Sequence, residues 1–327
     1  MQFRLTRMVV LVAGLAVVTS VTSACGKYSL SSIRSLKAFK DGSGLYTKGD
    51  YPGAAAKFEE AIGHNPEFGF SYFFLGNSLD NMFRPGRRGE AANDALLPRA
   101  AENYRLAIEK LATSQEPQAA QFRKLSFEYL IAIYGADKLA DFTKAEPVAK
   151  ELIAYEPNDA GNYQLLARLY EDQGDYEQAE AMFLRAIEVN PNAPLAHQLI
   201  AHYYNRQGEF DKTMASFQKR AELEPNNPEA WHTMGTYYYE KVYRDASVAR
   251  EQALTYLQSG LQAEDKALGI NPDYFEAVTF KSLLLALQAN RERDPALQKK
   301  LLAEASTLRE RALALQNKQG STVPATN

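Results

Sequence analysis

One short pattern recurs in this chain at a fixed interval, and that interval limits the fold more than any other feature. Gly49-Asp50-Tyr51, Gly174-Asp175-Tyr176 and Gly208-Glu209-Phe210 each follow an aromatic-rich stretch. Each precedes a run that closes on a proline, at Pro66, Pro191 and Pro225. Gly174 and Gly208 stand 34 residues apart, as do Pro191 and Pro225, and Pro157 falls one period earlier. A repeat of that length holds two helices and a turn, too little to bury its own apolar stripe, so copies must stack on one another. The chain of 327 residues therefore reads as all-α, a right-handed superhelical solenoid of about seven antiparallel helix pairs.

Residues 160–193 form the clearest copy. Tyr163, Leu166, Ala167 and Tyr170 fall three and four apart, one stripe of an amphipathic helix, and Gly174 ends it. Ala179, Phe183 and Ala186 make the stripe of a second helix that Pro191 closes. Small residues at Ala167 and Ala179 let the two helices approach, while Tyr170 and Phe183 fill the remaining space. This alternation of large aromatic, small and turn residues resembles the tetratricopeptide repeat. The next copy, 194–227, keeps Ile200, Ala201, Tyr204, Phe217 and Pro225 but carries His197, Thr213 and Arg220 where an aromatic residue and small residues are usual. Further units are expected at 35–68, 69–112 and 228–273, with a degenerate copy at 118–159 and a charged capping pair at 274–317. The unit at 69–112 carries an insertion around Arg84-Pro85-Gly86-Arg87-Arg88, and that at 228–273 has a lengthened second half. Residues 318–327, rich in small and polar residues, read as a disordered tail.

The first 24 residues read as a targeting segment. Arg4 and Arg7 precede an unbroken apolar and glycine run from Met8 to Val18, and small residues lead to Cys25, the sole cysteine. The arrangement resembles a bacterial lipoprotein signal, which implies cleavage after Ala24, a lipidated Cys25 and a tether over 25–34. Thr22 departs from that pattern, which prefers an aliphatic residue there. Ordinary signal cleavage after Ala24 is the alternative. A permanent span is disfavoured, since the apolar run falls short of the roughly 20 residues a bilayer needs. Gly26 after the cysteine fits outer-membrane sorting, so the expected location is the cell envelope, facing the periplasm.

In a stacked array the first helix of each pair lines the concave side, and residues off its core stripe point into the groove. That geometry selects Phe73 and Asn77, then Gln164 and Arg168, then Gln198, His202, Asn205 and Arg206, then His232, Thr236 and Tyr239. Amides pair with peptide backbone and guanidinium groups fork onto carboxylates, so this surface suits an extended peptide or a partner helix. Tetratricopeptide domains that clamp a C-terminal carboxylate use a particular Lys, Asn and Arg set; Gln164 and Arg168 stand in two of those places, so that specificity does not carry over. The resemblance, joined to the anchor, implies a scaffold for other proteins, like bacterial repeat lipoproteins that assemble outer-membrane barrels, secretins or pilus machinery. The alternatives are a soluble periplasmic adaptor or chaperone, and an accessory factor presenting a peptidoglycan enzyme.

Other chemistries find little support. A net charge of −3 gives no basic excess for a phosphate backbone, so nucleic acid is not expected. Gly42-Ser43-Gly44 lacks the lysine and preceding strand of a phosphate loop, and no cofactor is expected. His197 and His202 stand five apart on different helical faces, against a metal pair. His197 falls on the core stripe and reads as a packed histidine. The acidic pairs Glu59-Glu60 and Glu171-Asp172 sit on polar faces with no sign of a raised pKa. No nucleophile–base pair suggests an enzyme.

Overall fold

A computed structural model describes residues 29–320. The expectations for the targeting segment, for Cys25 and for residues 321–327 fall outside it. Fifteen α-helices, one 3-10 turn and no strand make up the described residues. Fourteen of the helices follow one another as seven pairs. The chain divides after Ser126 into two compact units.

The first unit holds α1 (Leu30–Thr47), α2 (Tyr51–His64), α3 (Gly69–Met82), the short α4 (Ala91–Asp94), α5 (Leu96–Ala112) and the start of α6 (Ala119–Tyr134). Helix α1 begins inside the expected tether, because the Ser29 hydroxyl accepts from the Ser32 amide and caps it at 3.1 Å. The insertion after α3 is ordered around Asn93. Its side chain accepts from the Arg84 amide at 2.9 Å and donates to the Arg84 and Arg87 carbonyls at 3.1 Å each.

The second unit runs from the rest of α6 through α7 (Phe142–Tyr155), α8 (Ala160–Asp172), α9 (Tyr176–Val189), α10 (Pro194–Arg206) and α11 (Phe210–Leu223). It continues with α12 (Pro228–Arg244), α13 (Arg250–Ile270), α14 (Phe275–Arg291) and α15 (Pro295–Gly320). Helix α15 runs three residues into the stretch assigned to a tail. Here the repeat is visible as chemistry. Gly174 and Gly208 turn with φ of +77° and +76°, a region costly for any residue with a Cβ. The amides of Asp175 and Glu209 then return to the Tyr170 and Tyr204 carbonyls, both at 2.9 Å. Tyr163 donates to the Pro157 carbonyl at 3.0 Å, and one period later the His197 ring meets the Pro191 carbonyl at the same distance. Tyr170 donates to Glu146 at 2.7 Å and Tyr204 to Glu180 at 2.8 Å. Phe183, Phe217 and the alanines beside them are sealed from solvent between the pairs.

The degenerate copy carries the same turn in disguise. Ala140-Asp141-Phe142 precedes Gly174-Asp175-Tyr176 by 34 residues. Ala140 takes a positive φ of 52°, alone among the described non-glycine residues, and Asp141 caps α7 through the Lys144 amide. The turn takes the same backbone conformation without the glycine that makes it easy.

Candidate functional site

In the second unit the first helices α8, α10, α12 and α14 succeed one another, and side chains meet across each step. Arg206 on α10 forks onto Glu171 on α8 through two bonds of 2.6 and 2.7 Å. His202 on α10 lies 3.2 Å from the Tyr237 hydroxyl on α12. Tyr239 on α12 packs edge-on against Phe280 on α14, with ring centroids 5.6 Å apart. These links join one wall. On it Gln164, Arg168, Gln198, His202, Thr236 and Tyr239 are half-buried, while Asn205 and Arg206 are exposed.

The electrostatics of the wall follow from crowding. Burial, then the neighbouring charge of Arg206, pushes the Arg168 guanidinium below its ordinary value. Hydrogen bonding to Glu171 raises that of Arg206. Burial, with Arg206 and Arg220 nearby, lowers the His202 pKa, so the ring is neutral at pH 7 and its contact with Tyr237 is one between uncharged groups. Asp172 corrects one expectation. Partial burial, then the charges of Glu171 and Asp137, raises its carboxyl above the ordinary range. Arg206 supplies a second correction: its fork is occupied by a carboxylate of the chain itself. Arg206 and Glu171 are therefore a brace within the wall.

Phe73 and Asn77 do not belong to this surface. Every residue of α3 from Gly69 to Leu79 is buried, with Phe73 4% and Asn77 5% exposed. Phe73 sits between the rings of Phe74, Tyr104 and Phe122. The Asn77 side-chain oxygen accepts from the Tyr46 hydroxyl at 2.5 Å and from Asn81 at 2.8 Å. Helix α3 buries Ser71, Asn77 and Ser78 along with its aromatic residues, so neighbours cover it on all sides, and the off-stripe rule holds only for a helix with one face left to solvent.

Sequence reasoning missed the floor beside His232. Glu264 on α13 is sealed from solvent, and its two carboxylate oxygens lie 3.0 and 3.1 Å from His232 Nδ1. Burial pushes the Glu264 pKa up to about 7 against the opposing pull of His232. The His232 ring stands edge-on to Tyr274 and Phe280. Gly235 makes room for the carboxylate, since a Cβ there would meet Glu264 Oε1 at 2.2 Å. The register held a signal: Glu264 lies eight residues before Pro272, as Phe183 lies before Pro191 and Phe217 before Pro225. A carboxylate thus stands where the repeat places a phenylalanine. His197 and Arg220, the other departures, are absorbed structurally. Arg220 is buried and pairs with Glu224 and Glu229. Among the described residues no group of three or more metal-ligating side chains is placed to hold an ion.

Comparisons agree with this architecture. Residues 138–203 match the tetratricopeptide repeat family, a stretch that opens at the Ala140 turn and ends in α10. The fold is similar to the C-terminal part of a TPR repeat-containing protein from Cytophaga hutchinsonii, at 14% identity and a TM-score of 0.53 over 85% of this chain and 98% of that one. A tetratricopeptide repeat protein from Parabacteroides merdae matches at 16% identity and a TM-score of 0.45, over 84% and 99% of the two chains. YrrB, described as a TPR protein with an unusual peptide-binding site, matches at 20% identity and a TM-score of 0.37, over 68% and 95%. No curated protein matches.

Proposed function

We propose that this protein is a non-enzymatic adaptor that holds an extended segment of another protein against the wall formed by α8, α10, α12 and α14. Scaffolding of protein interactions is what tetratricopeptide repeats generally do. The observation that carries the reading is the make-up of the wall. Amides at Gln164, Gln198 and Asn205 alternate with Arg168, Arg206 and the rings of His202, His232 and Tyr239 along the three consecutive first helices α8, α10 and α12. Amides answer the donors and acceptors of an extended backbone, guanidinium groups answer acidic side chains, and rings answer apolar ones. The bound segment meets rings and the Arg168 guanidinium, with Arg206 already braced by Glu171, so a peptide with apolar and acidic residues fits best.

The finer reading places this adaptor at the cell envelope, tethered by a lipid on Cys25 and serving assembly of an envelope complex. The apolar run before Cys25 supports it. The test is in-cell crosslinking and mass-spectrometric identification of partners, comparing wild type with an Arg168→Ala/His202→Ala/Arg206→Ala variant of unchanged helicity. Loss of specific partners supports the wall as the recognition surface; an unchanged partner list refutes it.

A further inference from the structure

Among the described residues of the first unit, the large apolar side chains that stand exposed are gathered in the first two turns of α1: Leu30 at 64%, Ile33 at 53% and Leu36 at 48%. The opposite side of α1 is fixed inward. Ser35 and Ala38 are buried, Ser35 donates to the Ala61 carbonyl at 2.8 Å, and Ser31 donates to the His64 carbonyl. Helical residues advance by about 100° each, so Leu36, Lys40, Ile33, Lys37 and Leu30 follow one another across an outer arc of about 120°. Lys37 and Lys40 are exposed on that arc; beyond Leu30 come Asp41 at about 20° and then Arg34 at about 40°, both exposed. No acidic residue interrupts the arc; Asp41 falls just outside it. Glu60, whose field is felt by Lys37, lies across on α2.

A helix face that mixes leucine and isoleucine with lysine in one plane suits neither a protein core nor bare water. It suits the boundary of a bilayer carrying anionic headgroups, where apolar tips enter the acyl boundary and lysines reach phosphate. Position in the chain points the same way: Leu30 follows Cys25 by five residues, so a lipid there holds this face within a few residues' reach of the surface. We propose that α1 is an interfacial helix that lies on an anionic phospholipid surface through Leu30, Ile33, Leu36, Lys37 and Lys40, and so sets how the first unit stands on the membrane. This rests on the membrane-tethered reading above and deepens it: a single acyl anchor fixes distance, whereas a second contact fixes orientation.

The experiment uses the protein purified from producing cells and reconstituted in vesicles, with Ile33→Cys labelled by an environment-sensitive fluorophore and Ala56→Cys on α2 as the exposed control. Mass spectrometry of the N-terminal peptide first reads whether Cys25 carries lipid. In phosphatidylglycerol-containing vesicles the Ile33 label is expected to shift to the blue and to be quenched by lipid-borne nitroxide, with Ala56 unmoved. In pure phosphatidylcholine, or in Lys37→Glu/Lys40→Glu, the membrane-contacting fraction should fall by more than an order of magnitude. An Ile33 label as water-exposed as the control in anionic vesicles overturns the proposal. So does a shift that grows with protein concentration and ignores headgroup charge, because that is pairing with a second copy. If Cys25 proves unlipidated, the tether fails on its own. The labelled Cys25→Ser chain added to the same vesicles then decides for or against α1 separately.

Discussion

Replacing Glu264 with glutamine is expected to stabilise the second unit, and by an amount that depends on pH. The side chain is sealed from solvent and its pKa is pushed from an ordinary 4.5 up to about 7, mainly by burial. Below pH 4.5 both the folded and the unfolded chain hold the proton, so the carboxyl has no pH-linked effect. Between 4.5 and 7 the unfolded chain releases its proton while the folded one retains it, and native stability falls as pH rises. Above 7 the folded chain carries the buried charge, and the displacement from 4.5 to about 7 amounts to about 3 kcal/mol. Glutamine has the same shape, fits beside Gly235 and keeps a hydrogen bond to His232 without ionising. At pH 8, Glu264→Gln should therefore raise the melting temperature by about 6–12 °C for a unit of this size. At pH 4 the two proteins should melt together. Thermal denaturation followed by circular dichroism at both pH values provides the measurement. A gap of equal size at pH 4 and pH 8, or none at pH 8, refutes the assignment of a buried, hard-to-ionise carboxyl.

Three further outcomes follow from the same geometry. Ala140→Gly should stabilise the chain by up to about 1 kcal/mol in chemical denaturation, because the positive φ at this turn costs a residue with a Cβ about 1–2 kcal/mol and glycine's extra chain entropy returns part of it. Phe183→Ala, which empties a side chain only 2% exposed, should cost about 3–5 kcal/mol in the same assay. Arg206→Ala should cost about 1 kcal/mol or less, because its side chain is 50% exposed and screened, yet it should weaken partner capture in a pull-down.

Most of the architecture was legible because its cause is local. A glycine at positive φ, an aspartate cap and a closing proline each act within a few residues, so three copies of the turn could be read directly. The fourth, at Ala140, was hidden because alanine, not glycine, holds the positive φ there. The wall was legible where a helix has one polar face, as on α8, α10 and α12. The same rule misplaced Phe73 and Asn77, because α3 is covered on every side, its polar residues included, by neighbours distant in sequence. Arg206 looked available because its partner Glu171 lies on another helix, 35 residues away. Glu264 could have been found by aligning the second helices on their closing prolines, which sets a carboxylate in a phenylalanine's place. Its pairing with His232 needed the third dimension.

The central claim, recognition of a partner segment by the wall of α8, α10, α12 and α14, is tested most directly by photocrosslinking in cells. A photoreactive residue at Gln164, Asn205 or Thr236 samples the wall, and one at Ala181 on α9 samples the outer side of the repeats. The account predicts that the wall positions crosslink to the same partner through one contiguous peptide of that partner, while Ala181 does not. Crosslinks concentrated at Ala181, or wall positions that capture no protein above background, would contradict it.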